Sequence, residues 1–564
     1  MDIKRLLLAL GLSFVFIVVW QTYFGPDPKL SDNEQPITSD ENKPSLIDPL
    51  NPSSDIVDAH DESKQQAPVV SNKLPNLDSE AETWPNSANS NAASFITMEI
   101  GHGSSIQELK IVNQNRGGWN KDGSAYNDQK GDVLLINDAQ CNPCLFVAGA
   151  VISFKNTGDY TGELVAKSES GVITKHTRID ADNPYLIIHE FTGLPSTAKV
   201  ALLWDGGLLP SEKKIEGDDL YNLSLFFKEK NSYNTKSLSG YDGGPITKSN
   251  INWGGVRAKY FMKAITSHDI EPDNIKFDKL SATSAFSGIK DQYAYPNITL
   301  NYDSIPNGTL AVESYIGPID PVILQHKNTE HLVPLFGWGW WIIGYLSKLI
   351  HWLLTSLHKF GLNYGVICIL FAFIIRLITG PLTKKSFLSN QKMQAVQPKI
   401  KKIQEKYKDD QARLSQETMK MYKNEGVNPL GGCLPILIQM PLLIAVFTVF
   451  RYTIEFRGAA FLPVWITDLS QPDVMIPVPA FLSSVPFIGH GIALLPIIMG
   501  VVMFLNMQMT SVTAQGSQKI MMYFMNAFFI LLFNSFPSGL NLYYTMYNIL
   551  NFIQQKQLKQ LPQA

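Results

Sequence analysis

The sequence predicts a multi-span α-helical membrane protein with six transmembrane helices and a large all-β domain outside the cytoplasm. Two observations predict this fold. The polar residues 25–335 contrast with residues 336–556, where long apolar runs alternate with short polar stretches. Within the polar part, short alternating runs recur between Gly, Asn and Asp, as antiparallel strands do. The whole-chain averages of 17% charged and 45% hydrophobic residues conceal this division.

The first 24 residues predict a transmembrane anchor. Lys4 and Arg5 precede an apolar run of about 19 residues, which is near the minimum for a membrane span. A basic start and a short apolar core also describe a signal peptide, but no small-x-small cleavage site follows. We therefore expect residues 1–24 to remain in the membrane, with the N-terminus in the cytoplasm.

The polar region divides into a linker and a folded domain. Residues 25–91 are rich in Pro, Ser, Asn and Asp without apolar periodicity, which predicts a flexible periplasmic linker. Residues 92–335 predict a large antiparallel β-sandwich. Because one anchor precedes this domain, we expect it in the periplasm.

Few residues of the β-domain point to chemistry. Cys141 and Cys144 form a C-x-x-C without a second pair, so a local disulfide or two free thiols is more plausible than zinc. His189 and Glu190 are an adjacent acid and base, but neighbouring side chains of a strand point to opposite faces. We therefore expect no catalytic site and no metal site in this domain.

Five further transmembrane helices are predicted, at residues 361–381, 432–452, 492–510, 520–536 and 537–556. Between and after them lie a periplasmic loop, a cytoplasmic loop and a cytoplasmic tail, at residues 453–491, 511–519 and 557–564. The apolar stretch 336–360 is ambiguous, because polar residues recur in it at helical spacing. This stripe predicts an amphipathic helix in the outer interface, and it consists of Lys348, His351, Thr355 and Lys359.

The topology follows from residues 382–430, which carry eleven lysines and arginines. Such a concentration of positive charge belongs on the cytoplasmic side. If residues 336–360 also crossed the membrane, the basic loop would face outward, so these residues are predicted to lie in the interface. Apolar residues at helical spacing predict a basic helical hairpin, in which Pro398 kinks or restarts the first helix. Asp410 can cap the second helix. The hairpin is either a solvated element near anionic lipid or a docking device for an incoming chain or a ribosome.

Arg376 is the first candidate for function. It is the sole charge between Lys359 and Lys384, and a charge at the bilayer centre costs about 2.5–3.5 kcal/mol on insertion scales. It should therefore face a polar cavity or a partner. Lys384 lies only about 12 Å further along a helix, so snorkelling to the inner headgroups is an equal alternative. The predicted spans contain no carboxylate that could serve as a counter-ion.

The last span places polar residues on one face. They lie at i, i+3, i+7 and i+10, and they are Asn541, Tyr544, Asn548 and Asn551. Neighbouring spans contribute Asn526, Asn534 and Gln439. Hydrogen bonds between helices explain such residues. The alternative is a hydrated groove that includes Arg376 and attracts an acidic group arriving from elsewhere.

Three ordered motifs resemble the YidC/Oxa/Alb membrane insertases. The first consists of Asn363-Tyr364-Gly365, Arg376 and Pro381-Leu382-Thr383-Lys384. The second consists of Asn428 to Cys433, Pro435 and Gln439-Met440-Pro441. The third consists of Phe536 to Leu540, Tyr543-Tyr544 and Asn548. The anchor and the large β-domain further resemble the Gram-negative members. In those proteins the periplasmic domain is a β-supersandwich similar to sugar-mutarotase folds, without established catalysis.

The resemblance implies an inner-membrane insertase and chaperone, not an enzyme, that works alone or with the Sec translocon and without a cofactor, metal or nucleotide. Five core spans would form a groove open to the cytoplasm and the lipid. Arg376 would attract the acidic tail of a substrate, whose apolar helix would leave along spans 432–452 and 520–536. Gln439, Met440, Pro441 and Tyr544 match positions near that path, and Asn526, Asn541 and Asn548 complete the predicted groove.

The resemblance also implies partners. These are nascent membrane proteins, the Sec translocon, membrane lipids, and a ribosome or targeting factor at the hairpin, with no direct nucleic-acid function. Ala372 departs from relatives that carry a hydroxyl group, which makes the groove less polar there.

Two other function classes are open to the same sequence. A small-solute transporter would need paired intramembrane charges or repeated halves, and neither is seen. An anchored carbohydrate-acting enzyme would need clustered acids and histidines in residues 95–320. Substitution of Arg376 separates these classes from an insertase.

Overall fold

The computed structural model describes part of the chain. The described residues are 82–84, 95–100, 105–112, 118–119, 125–126, 133–136, 139, 141–160, 163–205, 207–209, 211–212, 222–229, 232–238, 244–267, 269–280, 295–407, 410–426, 434–479, 491–510 and 517–560. The predicted anchor at 1–24 and nearly all of the predicted linker therefore lie outside the described residues, as do the tail residues 561–564.

The β-rich domain predicted for residues 92–335 is confirmed. Its strands, numbered in chain order, are β1 (Glu82–Trp84), β2 (Ile96–Ile100), β3 (Ile106–Ile111), β4 (Gly118–Trp119), β5 (Ala125–Tyr126), β6 (Val133–Ile136), β7 (Cys144–Val147), β8 (Ala150–Val151), β9 (Phe154–Tyr160), β10 (Glu163–Ser168), β11 (Thr174–Ile179), β12 (Leu186–Thr192), β13 (Val200–Trp204), β14 (Ser224–Glu229), β15 (Ser232–Ser237), β16 (Ile246–Ser249), β17 (Trp253–Arg257), β18 (Phe261–Ser267), β19 (Asn274–Leu280), β20 (Tyr295–Tyr302) and β21 (Thr309–Pro318).

Two large antiparallel sheets dominate the domain. The nine-stranded sheet has the order β15-β14-β17-β18-β21-β12-β11-β10-β9, and the six-stranded sheet has the order β16-β19-β20-β13-β7-β8. Their apolar side chains belong to one continuous core. A buried hydrogen bond of 3.0 Å, donated by Trp204 Nε1 to Ser314 Oγ, joins the two sheets. A smaller sheet has the order β1-β2-β3-β6.

The boundary of the predicted linker needs a correction. Strand β1 lies within residues 25–91 and pairs with β2, in a register that sets Trp84 opposite Met98. The physical reason is burial, because the indole of Trp84 is only 3% exposed and joins the core. A single large aromatic residue can order a short strand that is otherwise polar.

Seven α-helices occur in the described part of the C-terminal half. They are α1 (Trp341–His358), α2 (Tyr364–Lys406), α3 (Gln411–Asn424), α4 (Leu434–Tyr452), α5 (Leu494–Thr510), α6 (Ser517–Phe533) and α7 (Ser538–Gln560). Of the described helices, α2 alone is long and apolar enough to cross a membrane. Helices α4, α5 and α6 contain shorter apolar segments, at Gln439–Tyr452, Leu494–Met509 and Met522–Phe533. The number of spans therefore stays a prediction.

Helix α2 passes without a break from the predicted span into the hairpin, so Pro398 does not restart the helix, and the alternative of a kink there stays a prediction. Both Pro381 and Pro398 lie inside the helix. A helix-interior proline costs about 3 kcal/mol. Packing on either side offsets that cost, since Val396 and Ile400 are buried against α3. Asp410 caps α3 as predicted, accepting the Arg413 N–H at 3.0 Å.

The polar stripe predicted on α1 is not one exposed face. Lys348 and Lys359 are exposed, but His351 is buried against the rings of Phe336 and Trp338. The exposed face instead carries large apolar side chains at helical spacing, which are Trp341, Tyr345, Leu349 and Trp352. The interfacial position of α1 stays a prediction.

Candidate functional site

Arg376 lies on α2, on the side that faces α7. Its Nη1 donates to Thr383 Oγ1 at 3.2 Å and its Nη2 donates to Gln554 Oε1. The guanidinium also lies over the Tyr547 ring, 5.6 Å from the ring centre. The residue is 7% exposed, and its buried Nε has no hydrogen-bond partner in the described part of the chain. No described carboxylate lies within ion-pairing distance of Arg376.

Neighbouring contacts hold these partners in place. The Thr379 hydroxyl lies 3.3 Å from the Tyr547 hydroxyl. Gln554 Nε2 donates to the Gly380 carbonyl oxygen at 3.4 Å, which turns Oε1 toward the guanidinium. A Cβ at position 380 would lie 3.3 Å from Gln554 Nε2, so a larger residue there would displace the amide by a few tenths of an ångström. We call this neutral set, Thr379, Thr383, Tyr547 and Gln554, the Arg376 cage.

The direction of the side chain agrees with the snorkelling alternative, because its partner Thr383 lies two turns further along α2, beside Lys384. A snorkelling side chain extends along its helix toward the headgroups. Here two guanidinium nitrogens are engaged by side chains of α2 and α7, and little of the residue is exposed. The groups that meet the guanidinium are neutral protein side chains, and the hydration of Arg376 stays a prediction.

Asn541 lies away from the cage. It is fully buried, and its Nδ2 donates to the carbonyl oxygens of Phe533 and Phe536 at 3.1 and 3.3 Å, where α6 ends. Gln554 follows 13 residues later in the same helix, about 20 Å away at ~1.5 Å per residue. Asn541 therefore joins helix ends and does not line a shared groove with Arg376.

Tyr544 and Asn548 also lie off the cage face. The Tyr544 ring packs edge-on against Phe533, at 5.4 Å between ring centres. Asn548 Nδ2 donates to the Tyr544 carbonyl oxygen of its own helix at 2.8 Å. Gln554 lies six residues after Asn548, which is about 120° round the helix at ~100° per residue. Asn548 therefore lies off the face that meets Arg376. Asn551, the last residue of the predicted polar face, lies four residues after Tyr547 and three before Gln554, so it shares the face that meets Arg376.

The other amides bond to neighbouring backbone. Asn526 Nδ2 donates to the Gly500 carbonyl oxygen of α5 at 3.2 Å. Asn534 Nδ2 donates to the Gly491 carbonyl oxygen at 2.8 Å, and Asn534 Oδ1 accepts the Ala493 N–H at 2.8 Å. These contacts favour the helix-to-helix interpretation of the predicted groove amides.

The α4 residues Gln439, Met440 and Pro441 form a separate surface. Gln439 and Pro441 are half-buried, and Met440 is 38% exposed. The described contacts of the guanidinium come from α2 and α7, so the structure does not bring this group onto Arg376. Ala372, one turn before Arg376, is fully buried.

The cage residues were missed at the sequence level. Thr379 and Thr383 lie three and seven residues after Arg376, so their shared helical face was readable. Tyr547 and Gln554 are seven residues apart on α7, which marks a second face without saying what it meets. Only the rotation of α7 against α2 selects that face over the Asn541 face.

The remaining candidate residues of the β-domain are structural. Cys141 and Cys144 form a disulfide, which decides between the alternatives left open. His189 is buried, contacts Thr177 Oγ1 at 3.3 Å, and has its pKa lowered well below the ordinary value by burial. Glu190 pairs with Arg178 at 3.4 Å. Among the residues that the structure describes, no group of three potential metal ligands occurs.

Comparisons with known proteins place these features in context. Residues 356–563 match the family model described as 60Kd inner membrane protein. The membrane protein insertase YidC of Prosthecochloris aestuarii is 31% identical over 579 residues, which cover 98% of this chain and 94% of the relative. The YidC of Chlorobium luteolum is 37% identical over 376 residues, covering 62% of this chain and 59% of the relative. A solved active YidC insertase is 18% identical over 81% of this chain and 90% of its own, with a TM-score of 0.34, too low to carry weight.

Proposed function

Because the chain belongs to the YidC family of membrane protein insertases, we propose that it inserts nascent proteins into the inner membrane by way of the Arg376 cage. The proposal covers six spans, with both termini cytoplasmic and the β-domain periplasmic. It covers chaperone-like folding and assembly of the inserted proteins, and no enzymatic step.

One observation carries the proposal: a buried guanidinium held by neutral groups. Hydrogen bonds to Thr383 and Gln554 offset part of the cost of burial, but they leave the net charge of the Arg376 site at +1. A substrate carboxylate at ~4 Å would gain about 4 kcal/mol at an effective dielectric constant of ~20. At about 1.4 kcal/mol per tenfold change, this favours capture by nearly three orders of magnitude.

The capture step explains how an acidic tail enters the bilayer. Near the cage, the tail exchanges water for the guanidinium and for the hydroxyl and amide groups around it, which lowers its desolvation cost. The apolar helix of the substrate then moves into lipid, where burial of apolar area contributes about 25 cal/mol per Å². Exposed apolar side chains of α4 and α6 support a path along these helices, and they include Met440, Tyr523, Phe524 and Leu531.

The same proposal assigns the partners. The basic hairpin of α2 and α3 is the proposed contact for a ribosome or targeting factor and for anionic lipid. Its exposed lysines and its length beyond the predicted span support that role. The Sec translocon is the proposed partner for substrates with additional spans.

The test substitutes Arg376 and compares two substrates that differ only in their translocated tails, one acidic and one with the acids replaced by amides. We expect Arg376→Ala and Arg376→Glu to slow insertion of the acidic substrate at least tenfold, equivalent to about 1.4 kcal/mol. Arg376→Lys should retain most activity, because attraction needs charge more than two donors. The amide substrate should be nearly indifferent.

Lys384→Ala is the matched control, since it removes one positive charge from an exposed position of the same helix. Insertion of the acidic substrate at the wild-type rate by Arg376→Ala would refute the capture step. Equal loss with Arg376→Lys would show that the two-donor geometry matters and that charge alone is insufficient.

A further inference from the structure

The segment 453–473, which follows α4 on the β-domain side, is unusually buried for a connection. Thr453, Phe456, Arg457 and Leu469 are each less than 5% exposed, with values of 1%, 0%, 4% and 0%. Buried connections must satisfy their backbone groups inside the protein. This segment does so by contacts with three separate parts of the chain.

The first contact is an ion pair with the β-domain. Arg457 Nε donates to Glu212 Oε1 at 2.7 Å, and Arg457 Nη2 donates to the Ser211 carbonyl oxygen at 2.6 Å. The two side chains are 2% and 4% exposed. The guanidinium also lies over the Phe261 ring of β18, 5.5 Å from its centre. Each charge is thus removed from water and depends on the other.

The second contact is with the first residues of α7. The Ser538 N–H donates to the Gln471 carbonyl oxygen at 2.8 Å, and the Gly539 N–H donates to the Leu469 carbonyl oxygen at 2.9 Å. Gln471 Nε2 in turn reaches Glu212 Oε2 at 3.5 Å. The first N–H groups of a helix have no partner within that helix. In α7 they are satisfied by the segment that Glu212 contacts.

The third contact is with the first residues of α5. Asp473 Oδ2 accepts the N–H groups of Leu494 and Leu495 at 3.0 and 2.7 Å, and the Trp465 indole N–H at 3.2 Å. Asp468 Oδ1 closes the segment on itself through the N–H groups of Gly458 and Ser470, at 2.7 and 2.9 Å. The segment is therefore a rigid junction of α4, α5, α7 and the β-domain.

We propose that Glu212 is a positioning residue through which the β-domain sets the outer ends of α4 and α7. The Arg457 guanidinium is buried at the outer end of the helix bundle, where the β-domain supplies the carboxylate of Glu212 in addition to the nearby Asp468 of the same segment. The inference gives the β-domain a task that the proposed insertase function does not assign. It concerns helix position and does not depend on how Arg376 acts.

The experiment measures distances in the full-length protein in nanodiscs. Spin labels are placed at two exposed positions, Val172 in the β-domain and Val464 in the buried segment's exposed turn, which are 66% and 99% exposed. Cys368 and Cys433 are replaced by alanine, and the disulfide is kept. Glu212→Gln and Arg457→Gln are compared with the double variant, because the double variant leaves no buried charge unpaired.

We expect one narrow distance distribution in the parent protein and a broadened or shifted one in each single variant. The double variant should lie closer to the parent than either single variant does. Asp303→Asn is the matched control, since it breaks an exposed pair with Lys199 in the same domain, with side chains 61% and 68% exposed.

Unchanged distributions in both single variants, or simply additive changes in the double variant, would overturn the proposal. If a single variant does not fold, the double variant decides: a parent-like distribution supports the proposal, and a broad one refutes it. In the parent protein, one narrow distance distribution together with failed insertion of the acidic-tailed substrate would count against the proposed insertase function and not against the Glu212 junction.

Discussion

Placing a resident acid inside the cage tests the electrostatic idea most directly. Gln554→Glu keeps the length and shape of the side chain and retains an oxygen that accepts from Arg376 Nη2. It exchanges the amide nitrogen, which donates to the Gly380 carbonyl oxygen at 3.4 Å, for a second carboxylate oxygen. The net charge of Arg376 and its cage together therefore falls from +1 to 0, while the packing is nearly preserved.

The sizes of the two effects differ enough to be separated. The lost Gln554–Gly380 hydrogen bond costs about 1 kcal/mol. The new charge pair gains about 4 kcal/mol at ~4 Å and an effective dielectric constant of ~20, so stability should not fall. An arriving carboxylate loses an attraction of the same size. We therefore expect insertion of an acidic-tailed substrate to slow at least tenfold in a protein that folds normally.

The assay uses proteoliposomes and the pair of substrates with acidic and amide tails. Gln557→Glu is the control, since it adds the same charge at an exposed position one turn further along α7. Wild-type insertion of the acidic tail by Gln554→Glu would refute the reasoning. Equal slowing of both substrates would mean that the substitution disturbed packing and not the field of Arg376.

Three further predictions concern the parts of the chain outside the cage. Burial, with Asp320 nearby, raises the pKa of Glu455 from 4.5 to about 8. Between these pH values the folded protein holds a proton that the unfolded chain has lost, so the free energy of unfolding falls as pH rises. Denaturant unfolding should therefore show that Glu455→Gln is more stable than the parent by on the order of 3 kcal/mol at pH 8 and little different at pH 4. Burial lowers the pKa of His351 to about 4, so its 3.7 Å contact with Glu455 joins two neutral groups near pH 7 and His351→Gln should leave the slope between pH 7 and pH 8 unchanged. The double substitution Cys141→Ser with Cys144→Ser removes a disulfide that closes a very short loop, and it should lower the free energy of unfolding by about 2 kcal/mol through chain entropy. Added zinc should not change the stability of the parent protein. A loss of more than twice that value would show that the loop geometry itself depends on the disulfide.

Local sequence patterns were enough to predict many of the helices, the β-rich domain and the family. Helix α5 begins and ends near the predicted limits, with Leu494–Thr510 against 492–510, because apolar runs and capping residues act over a few positions. Helix α2 runs on to Lys406, well past the predicted limit at 381. The resemblance drawn from three motifs is confirmed by the family matches. The β-rich domain was readable for the same reason, since strand alternation is a local property.

Contacts between distant segments could not be read in this way. The Arg457–Glu212 pair joins residues 245 positions apart, and nothing in either neighbourhood marks the partner. Likewise, the polar residues of α7 spread over a wide arc of the helix, and their spacing does not fix which part of that arc meets Arg376. Asn541 was assigned to the groove because an amide in a membrane needs partners. Its Nδ2 donates to the carbonyl groups where α6 ends, whereas its buried Oδ1 has no hydrogen-bond partner in the described part of the chain.

The Arg376 cage and the Glu212 junction both contact helix α7, so a movement of this helix affects both. Helix α7 begins at Ser538, where the segment 453–473 satisfies its first N–H groups, and reaches Gln554 after 16 residues, about 24 Å at ~1.5 Å per residue. A helix of this length moves nearly as a rigid rod, so a small tilt at Ser538 displaces Gln554 relative to α2. The contact most sensitive to such a tilt is the one made to Arg376, because a hydrogen bond weakens steeply with distance and angle while apolar packing does not. Loss of Glu212 should therefore loosen the Gln554–Arg376 contact before it unfolds either domain. The Arg376 guanidinium, released from its neutral acceptors, would turn toward the inner headgroups, where it no longer attracts a substrate within the bilayer.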